Sequence, residues 1–288
     1  MKLVSFSRLG RSGFGAIVDG AVIDLSGKLS PDVQTLKEAI EFELLDIARD
    51  YCDGRTGDFH LSDITFLPVI PDPGKILCVG LNYKKHQVET GRPDADYPTI
   101  FPRYADSQVG HGQALIKPTM TEKFDYEGEL AIVIGRGGRC ISKESALSHI
   151  AGYACYNEGS VRDWQRHTSQ FIPGKTFPGT AGFGPWLLTS DEIEDYTTLP
   201  IETRLNGKVM QQAMLADLLF PLPDIINYIS SFTPLSAGDV IVTGTPGGVG
   251  DKREPPVYMQ PGDRVEIDCG PVGTLLNTVV AEADLLGH

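Results

Sequence analysis

Apolar residues along this chain fall mostly into short runs broken by glycine, proline and Asp/Asn turns, and few stretches carry helical spacing. Residues 2–7, 15–18 and 21–25 read as short strands, with Asp19-Gly20 as a hairpin turn. Residues 33–51 place Leu36, Ile40, Leu44, Leu45, Ile47 and Ala48 at helical spacing, with Pro31-Asp32 at the start. The turn-rich stretch 68–74 then separates a small α+β unit, residues 1–70, from a larger one, residues 71–288. In the larger unit the pattern predicts strands at 75–80, 129–134, 186–189, 201–205, 239–243 and 264–268, and helices only at 142–150 and 223–231. Strands outnumber helices and do not alternate with them, so the expected class is α+β, mostly β, rather than a doubly wound parallel sheet.

The most informative stretch runs from Phe124 to Gly135. From Glu129 onward it is a continuous apolar run closed by glycine, the pattern of a buried strand. Glu127 and Glu129 precede that run with only Gly128 between them, so on a strand they project from the same side. Gly128 adds no side chain opposite and lets another backbone approach. Two carboxylates so close repel unless a cation or a shared proton holds them together. Carboxylate oxygens suit Mg²⁺, Ca²⁺ or Mn²⁺. The competing reading is a solvated strand edge with two ordinary glutamates.

Other segments add candidate chemistry. In Asn82-Tyr-Lys-Lys-His86-Gln-Val-Glu89, a helical conformation would put His86 and Glu89 on one face. A carboxylate beside an imidazole raises its basicity, as a water-activating base requires. The polar, breaker-rich residues 91–98 read as a lid loop; the alternative is an exposed turn with an incidental His and Glu. Glu158 lies in Tyr156-Asn-Glu-Gly-Ser-Val-Arg162-Asp-Trp-Gln165 and could be a third oxygen ligand, leaving three octahedral positions open; a helix start capped near Asn157 competes. Residues 171–186 are too rich in glycine and proline for regular structure, and Lys175 within them either faces an anion or is solvated. Thr245 opens a glycine-rich loop, residues 244–250, whose N–H groups and hydroxyl could hold a carboxylate. There is no Walker A sequence, dinucleotide fingerprint or GxSxG elbow.

Composition narrows the partners. Among 288 residues, 25 basic and 38 acidic side chains leave a net charge of -13, which argues against nonspecific binding to nucleic acid or anionic membranes. An anionic substrate must then be attracted locally, by a metal and a few Lys or Arg. Five widely spaced cysteines without CxxC point to neither disulfides nor zinc, and with no signal-peptide pattern at the start a cytoplasmic setting is expected. No apolar run approaches transmembrane length.

Taken in order, Val79-Gly-Leu-Asn-Tyr-Lys-Lys-His86, Val109-Gly-His-Gly112, Asp125-Tyr-Glu-Gly-Glu-Leu130, the segment around Asn157-Glu158 and Arg162-Asp-Trp-Gln165, Gly174-Lys-Thr-Phe177 and Thr243-Gly-Thr-Pro-Gly-Gly-Val249 resemble the fumarylacetoacetate hydrolase family. The resemblance spans residues 70–285, about three quarters of the chain. It implies a rolled, mixed β-sheet C-terminal domain with a small N-terminal α+β domain, and a homodimer. It implies Mg²⁺ or Mn²⁺ (with Ca²⁺ as a substitute in crystals) on Glu127, Glu129 and Glu158. It makes His86 and Glu89 the water-activating dyad and Lys175 the cation that neutralises an enolate or carboxylate. It places Arg162, Gln165 and Thr245 against substrate. The implied activity is hydrolysis of a C–C bond in a 2,4-dioxo acid of the acylpyruvate or fumarylpyruvate type, with oxaloacetate-type decarboxylation and hydration or isomerisation in aromatic catabolism as alternatives. One position departs from the family: Asp is usual where this chain has Glu158, and the extra methylene adds on the order of 1.5 Å of reach.

Overall fold

A computed structural model describes residues 1–84, 89 and 95–285. Two mixed sheets dominate it, and among the described residues neither closes into a barrel. The fold is α+β and mostly β. The larger sheet runs, edge to edge, through Phe59–His60, Ala21–Asp24, Arg11–Val18, Lys2–Arg8, Ala181–Thr189, Ile150–Asn157, Gly128–Ile134, Val240–Val242, Ile76–Gly80 and Thr99–Arg103. The N-terminal strands are thus continuous with the rest: Lys2 pairs with Leu188 and Leu3 with Leu187. The smaller sheet takes Lys208–Met214, Pro200–Leu205, Arg264–Asp268, Thr274–Ala281 and Ala114–Lys117.

Gly128–Ile134 is buried throughout, as its unbroken apolar run requires. Alternation divides its side chains between two cores. Leu130, Ile132 and Ile134 enter the layer formed with the smaller sheet and the helix Leu222–Phe232, beside Ile201, Ile267, Leu275 and Ile225. Ala131 and Val133 face the other way, onto Leu3, Phe14, Ile23, Leu36 and Ile40 of the N-terminal unit. Glu129 shares that second parity, and it lies where the apolar core stops.

Several expected elements differ. The helix expected at 33–51 is two helices, Leu36–Glu41 and Leu45–Cys52. The first starts at a capping box, in which Thr35 accepts from the Glu38 N–H and Glu38 from the Thr35 N–H; it stops where Glu43 takes a positive φ of 56°. The helix expected at 142–150 is one α-helical turn, Lys143–Ala146, continued by a 3₁₀ turn, Leu147–His149, up to the strand Ile150–Asn157, for which spacing predicts no element. Residues 171–186, expected to be irregular, contain the turn Ile172–Lys175 and most of the nine-residue strand Ala181–Thr189. Gly179 turns the chain, with a φ of 65°, whereas Gly182 serves packing. A Cβ on Gly182 would lie 2.4 Å from Asn277 Oδ1 of the smaller sheet, so glycine there lets the two sheets approach.

Candidate active site

Antiparallel pairing builds the site. Gly128 lies opposite Asn157 and Glu129 opposite Tyr156, so the same register puts Glu127 opposite Glu158, where the Glu158 N–H donates to the Glu127 carbonyl at 2.8 Å. Candidate ligand oxygens of Glu127, Glu129 and Glu158 all lie within 4.8 Å of one another, and all three residues are buried. Gly128 is a packing requirement: a Cβ would stand 2.0 Å from Thr203 Oγ1 and 3.0 Å from the Ile267 side chain. What approaches it is a side chain of the facing sheet.

Three buried like charges need compensation. Lys175 supplies part of it, with Nζ 3.1 Å from Glu127 Oε2 and 2.6 Å from Glu158 Oε2. The turn Ile172–Lys175 can aim it there because Gly174 sits against Gln165, whose backbone N a Cβ would meet at 2.4 Å. Burial works against the Lys175 charge, but Glu127 and Glu158 outweigh it and hold its pKa above the usual lysine value. Arg162 donates from Nε to Asp125 Oδ2 at 2.8 Å, stands with Nη1 2.5 Å from Glu127 Oε1, and donates from Nη1 to Gln165 at 3.0 Å. Ser160 also donates to Glu127, at 2.9 Å. Burial first, then the charges of Glu158 and Glu127, push the Glu129 carboxyl well above the usual range; the Gly244 N–H donates to it.

These groups line the floor of a cleft of about 530 Å³, whose walls include Phe101, Gln165, Phe171 and Val249. Two floor atoms have no hydrogen-bond partner among the described residues: Glu158 Oε1, an acceptor, and Arg162 Nη2, a donor. An orphaned carboxylate oxygen within an all-oxygen set is what a hard divalent cation would complete. The residues present therefore fit a hard divalent cation, which Glu127, Glu129 and Glu158 could hold.

Other expected site residues meet the cleft differently. Glu89 accepts from the Gly248 N–H at 3.0 Å. His86 lies outside the described residues. Thr245 lines the cleft, but its hydroxyl already donates to the Gly128 carbonyl at 2.9 Å and accepts from Gln211 Nε2 at 2.8 Å. In this state Thr245 braces the strand between the two glutamates rather than offering a free hydroxyl. Gln211 completes that brace, since its Oε1 accepts from the Gly128 N–H at 2.9 Å. Sequence reasoning singled out neither Gln211 nor Asp125 nor Arg103. Asp125, fully buried, accepts from Arg162 and from the N–H groups of Tyr126, Gly250 and Asp251. Burial raises its pKa, opposed mainly by Arg162. The available signal for Asp125 was a third acid beside the glutamate pair.

The chain is similar to known proteins along most of its length. Residues 75–280 match the model of the fumarylacetoacetate hydrolase C-terminal domain. Over 265 residues the chain is 37% identical to a mitochondrial protein of Bos taurus named oxaloacetate tautomerase FAHD2A, covering 91% of this chain and 84% of that one. A solved fumarylacetoacetate hydrolase from the psychrophile Exiguobacterium antarcticum superposes with a TM-score of 0.82 at 33% identity, covering 98% of this chain and all (100%) of that one. Maleylpyruvate hydrolase from Sphingobium sp. SYK-6, solved with manganese(II) and pyruvate, superposes with a TM-score of 0.81 at 26% identity, covering 98% and 99%. With the matched region spanning most of the chain and both site strands, the protein belongs to the fumarylacetoacetate hydrolase family.

Proposed function

We propose that this protein is an enzyme of metal-assisted enolate chemistry, and that its reaction is keto–enol tautomerisation of a short 2-oxo dicarboxylate of the oxaloacetate type. The observation that carries the reading is a three-carboxylate cation seat beside a guanidinium whose Nη2 has no partner among the described residues, both on one cleft floor. A 2-oxo acid has a carboxylate and a keto oxygen side by side, which suits a cation and a fixed donor acting together. A divalent cation on Glu127, Glu129 and Glu158 would supply Lewis-acid polarisation of the keto oxygen. Arg162, held by Asp125, Glu127 and Gln165, would orient the substrate carboxylate through Nη2. Lys175 would keep a fixed positive charge where enolate charge develops. Tautomerisation takes one proton from C3 of the keto form and returns one to the enolate oxygen, so it needs a base but no attacking water. The oxaloacetate tautomerase relative, similar over 91% of the chain, supports this choice.

Hydrolytic C–C cleavage of a 2,4-dioxo acid is the second reading. It is favoured by Glu89, held against the Gly248 N–H next to cleft-lining Val249, and by the maleylpyruvate hydrolase likeness. There His86 and Glu89 would activate water against the distal carbonyl.

One preparation tests both. Chelator-treated protein, with and without Mg²⁺ or Mn²⁺, is given enol oxaloacetate, with decay of the enol absorbance as readout, and separately acylpyruvates and fumarylpyruvate. Metal-dependent acceleration of enol decay, without loss of carbon dioxide, is expected. Cleavage of the dioxo acids alone would replace the first reading with the second. Release of carbon dioxide would make the enzyme a decarboxylase, and silence on the whole panel would overturn both readings.

A further inference from the structure

Arg103 ends the edge strand Thr99–Arg103 with its side chain wholly buried. Its Nε donates to Ser107 Oγ at 3.3 Å, Nη1 to the Gly159 carbonyl at 3.0 Å and Nη2 to Thr180 Oγ1 at 3.0 Å. All three acceptors are neutral, so they fix the guanidinium without compensating its charge. Among the described residues the one carboxylate within 4.0 Å is Glu158, with Oε1 3.9 Å from Nη1. That Oε1 is a buried acceptor with no hydrogen-bond partner among the described residues. A buried guanidinium and a buried carboxylate oxygen are each costly alone. Here they compensate each other through space, and the neutral contacts hold the gap, one of them to the residue directly after Glu158.

The charge balance of the cleft floor gives this arrangement a consequence. With the carboxylates ionised, as cation binding requires, the buried charged groups at and behind the three glutamates are Asp125, Glu127, Glu129 and Glu158 against Arg103, Arg162 and Lys175, one negative charge in excess within that buried set, while Asp251, Arg166 and Lys252 line the more open part of the cleft. A divalent cation would turn that excess into one positive charge, which attracts an organic anion. Without Arg103 the floor would be one unit more negative at both stages.

We propose that Arg103 is the internal counter-cation of this site, weakening divalent-cation binding at Glu158 and strengthening binding of the organic anion that follows. The proposal rests on the reading of Glu127, Glu129 and Glu158 as cation ligands. Arg103 acts through charge and through Glu158, so its removal should move the two affinities in opposite directions. A purely structural residue, when lost, weakens both.

The test is titration of metal-free protein with Mn²⁺, followed by the electron paramagnetic resonance of free Mn²⁺. The Mn²⁺-loaded protein is then titrated with oxalate, an unreactive chelating dianion, by calorimetry. In Arg103→Met, Mn²⁺ should bind about tenfold more tightly or better, and oxalate about tenfold more weakly or worse. Arg103→Gln is the second neutral variant should Arg103→Met fail to fold. Arg103→Lys keeps the charge and should leave both affinities within about threefold of wild type. Joint weakening in a folded neutral variant, unchanged affinities, or joint loss in Arg103→Lys would each overturn the proposal. Absence of Mn²⁺ binding to the wild type would instead overturn the reading of the three glutamates beneath it.

Discussion

The two faces of Gly128–Ile134 obey different rules. On one, Leu130, Ile132 and Ile134 belong to an apolar cluster, and the energetics are those of dispersion and area removed from water. On the other, Ala131 and Val133 give way to Glu129 and, just before the strand, Glu127. There each buried charge is tolerated only through a named partner: Lys175, Arg162, Ser160 or the Gly244 N–H. The apolar face is stable by itself and carries no chemistry. The charged end draws its capacity to bind a cation from charges that are incompletely matched, and so it is the place where a ligand can act.

Substitutions on each face should separate these rules. The largest effect on folding is expected from Ile132→Ala, a cavity at a fully buried position; it should cost about 2–5 kcal/mol in chemical denaturation and leave the Mn²⁺ affinity of the folded protein near wild type. Glu127→Gln should do the reverse: the protein stays folded while Mn²⁺ binding falls on the order of 100-fold or more, read by calorimetry. Retained metal binding would remove Glu127 from the ligand set. Gly128→Ala sits on the boundary between the two. Its methyl would collide with Thr203 Oγ1, so a loss of about 1–3 kcal/mol should appear in denaturation together with weaker Mn²⁺ binding, and Thr203→Ala added to it should restore part of both.

The smallest expected effect concerns a titrating group away from the charged end. His111 is mostly buried, its Nδ1 accepts from the Leu276 N–H, and burial lowers its pKa below the ordinary 6.5. The folded state therefore favours neutral imidazole. This contribution is complete above pH 6.5 and is lost as pH falls below 6.5 towards the folded value, because the unfolded chain takes up the proton first. His111→Gln should flatten that part of the stability-versus-pH curve; an unchanged slope would show that another group controls it.

Much of this contrast was legible in the residues themselves. The run after Glu129 announced a buried strand, and two-residue periodicity placed Glu127 and Glu129 together. Residues 223–231 read as a helix within one residue of each observed end. What could not be read depended on contacts distant in sequence. Gly182 and Pro185 look like turn residues until the smaller sheet packs against their strand. Arg103 looks like an ordinary basic residue after an apolar stretch until the fold brings it beside Glu158, 55 positions later. The brace at Thr245 was unreadable for the same reason: Gln211 and the Gly128 carbonyl, which engage its hydroxyl, are both remote in the chain.

The placement of Glu127 opposite Glu158 also bears on how the chain reaches its native state. The two residues continue a register that includes Gly128 with Asn157 and Leu130 with Cys155. A slip of one residue between these strands would turn one side chain set to the opposite face and scatter the three carboxylates. A cation that needs all three can therefore bind only the correctly paired arrangement. During folding it would act as a proofreader of strand alignment, selecting the proper pairing from neighbours that hydrophobic burial alone distinguishes less sharply.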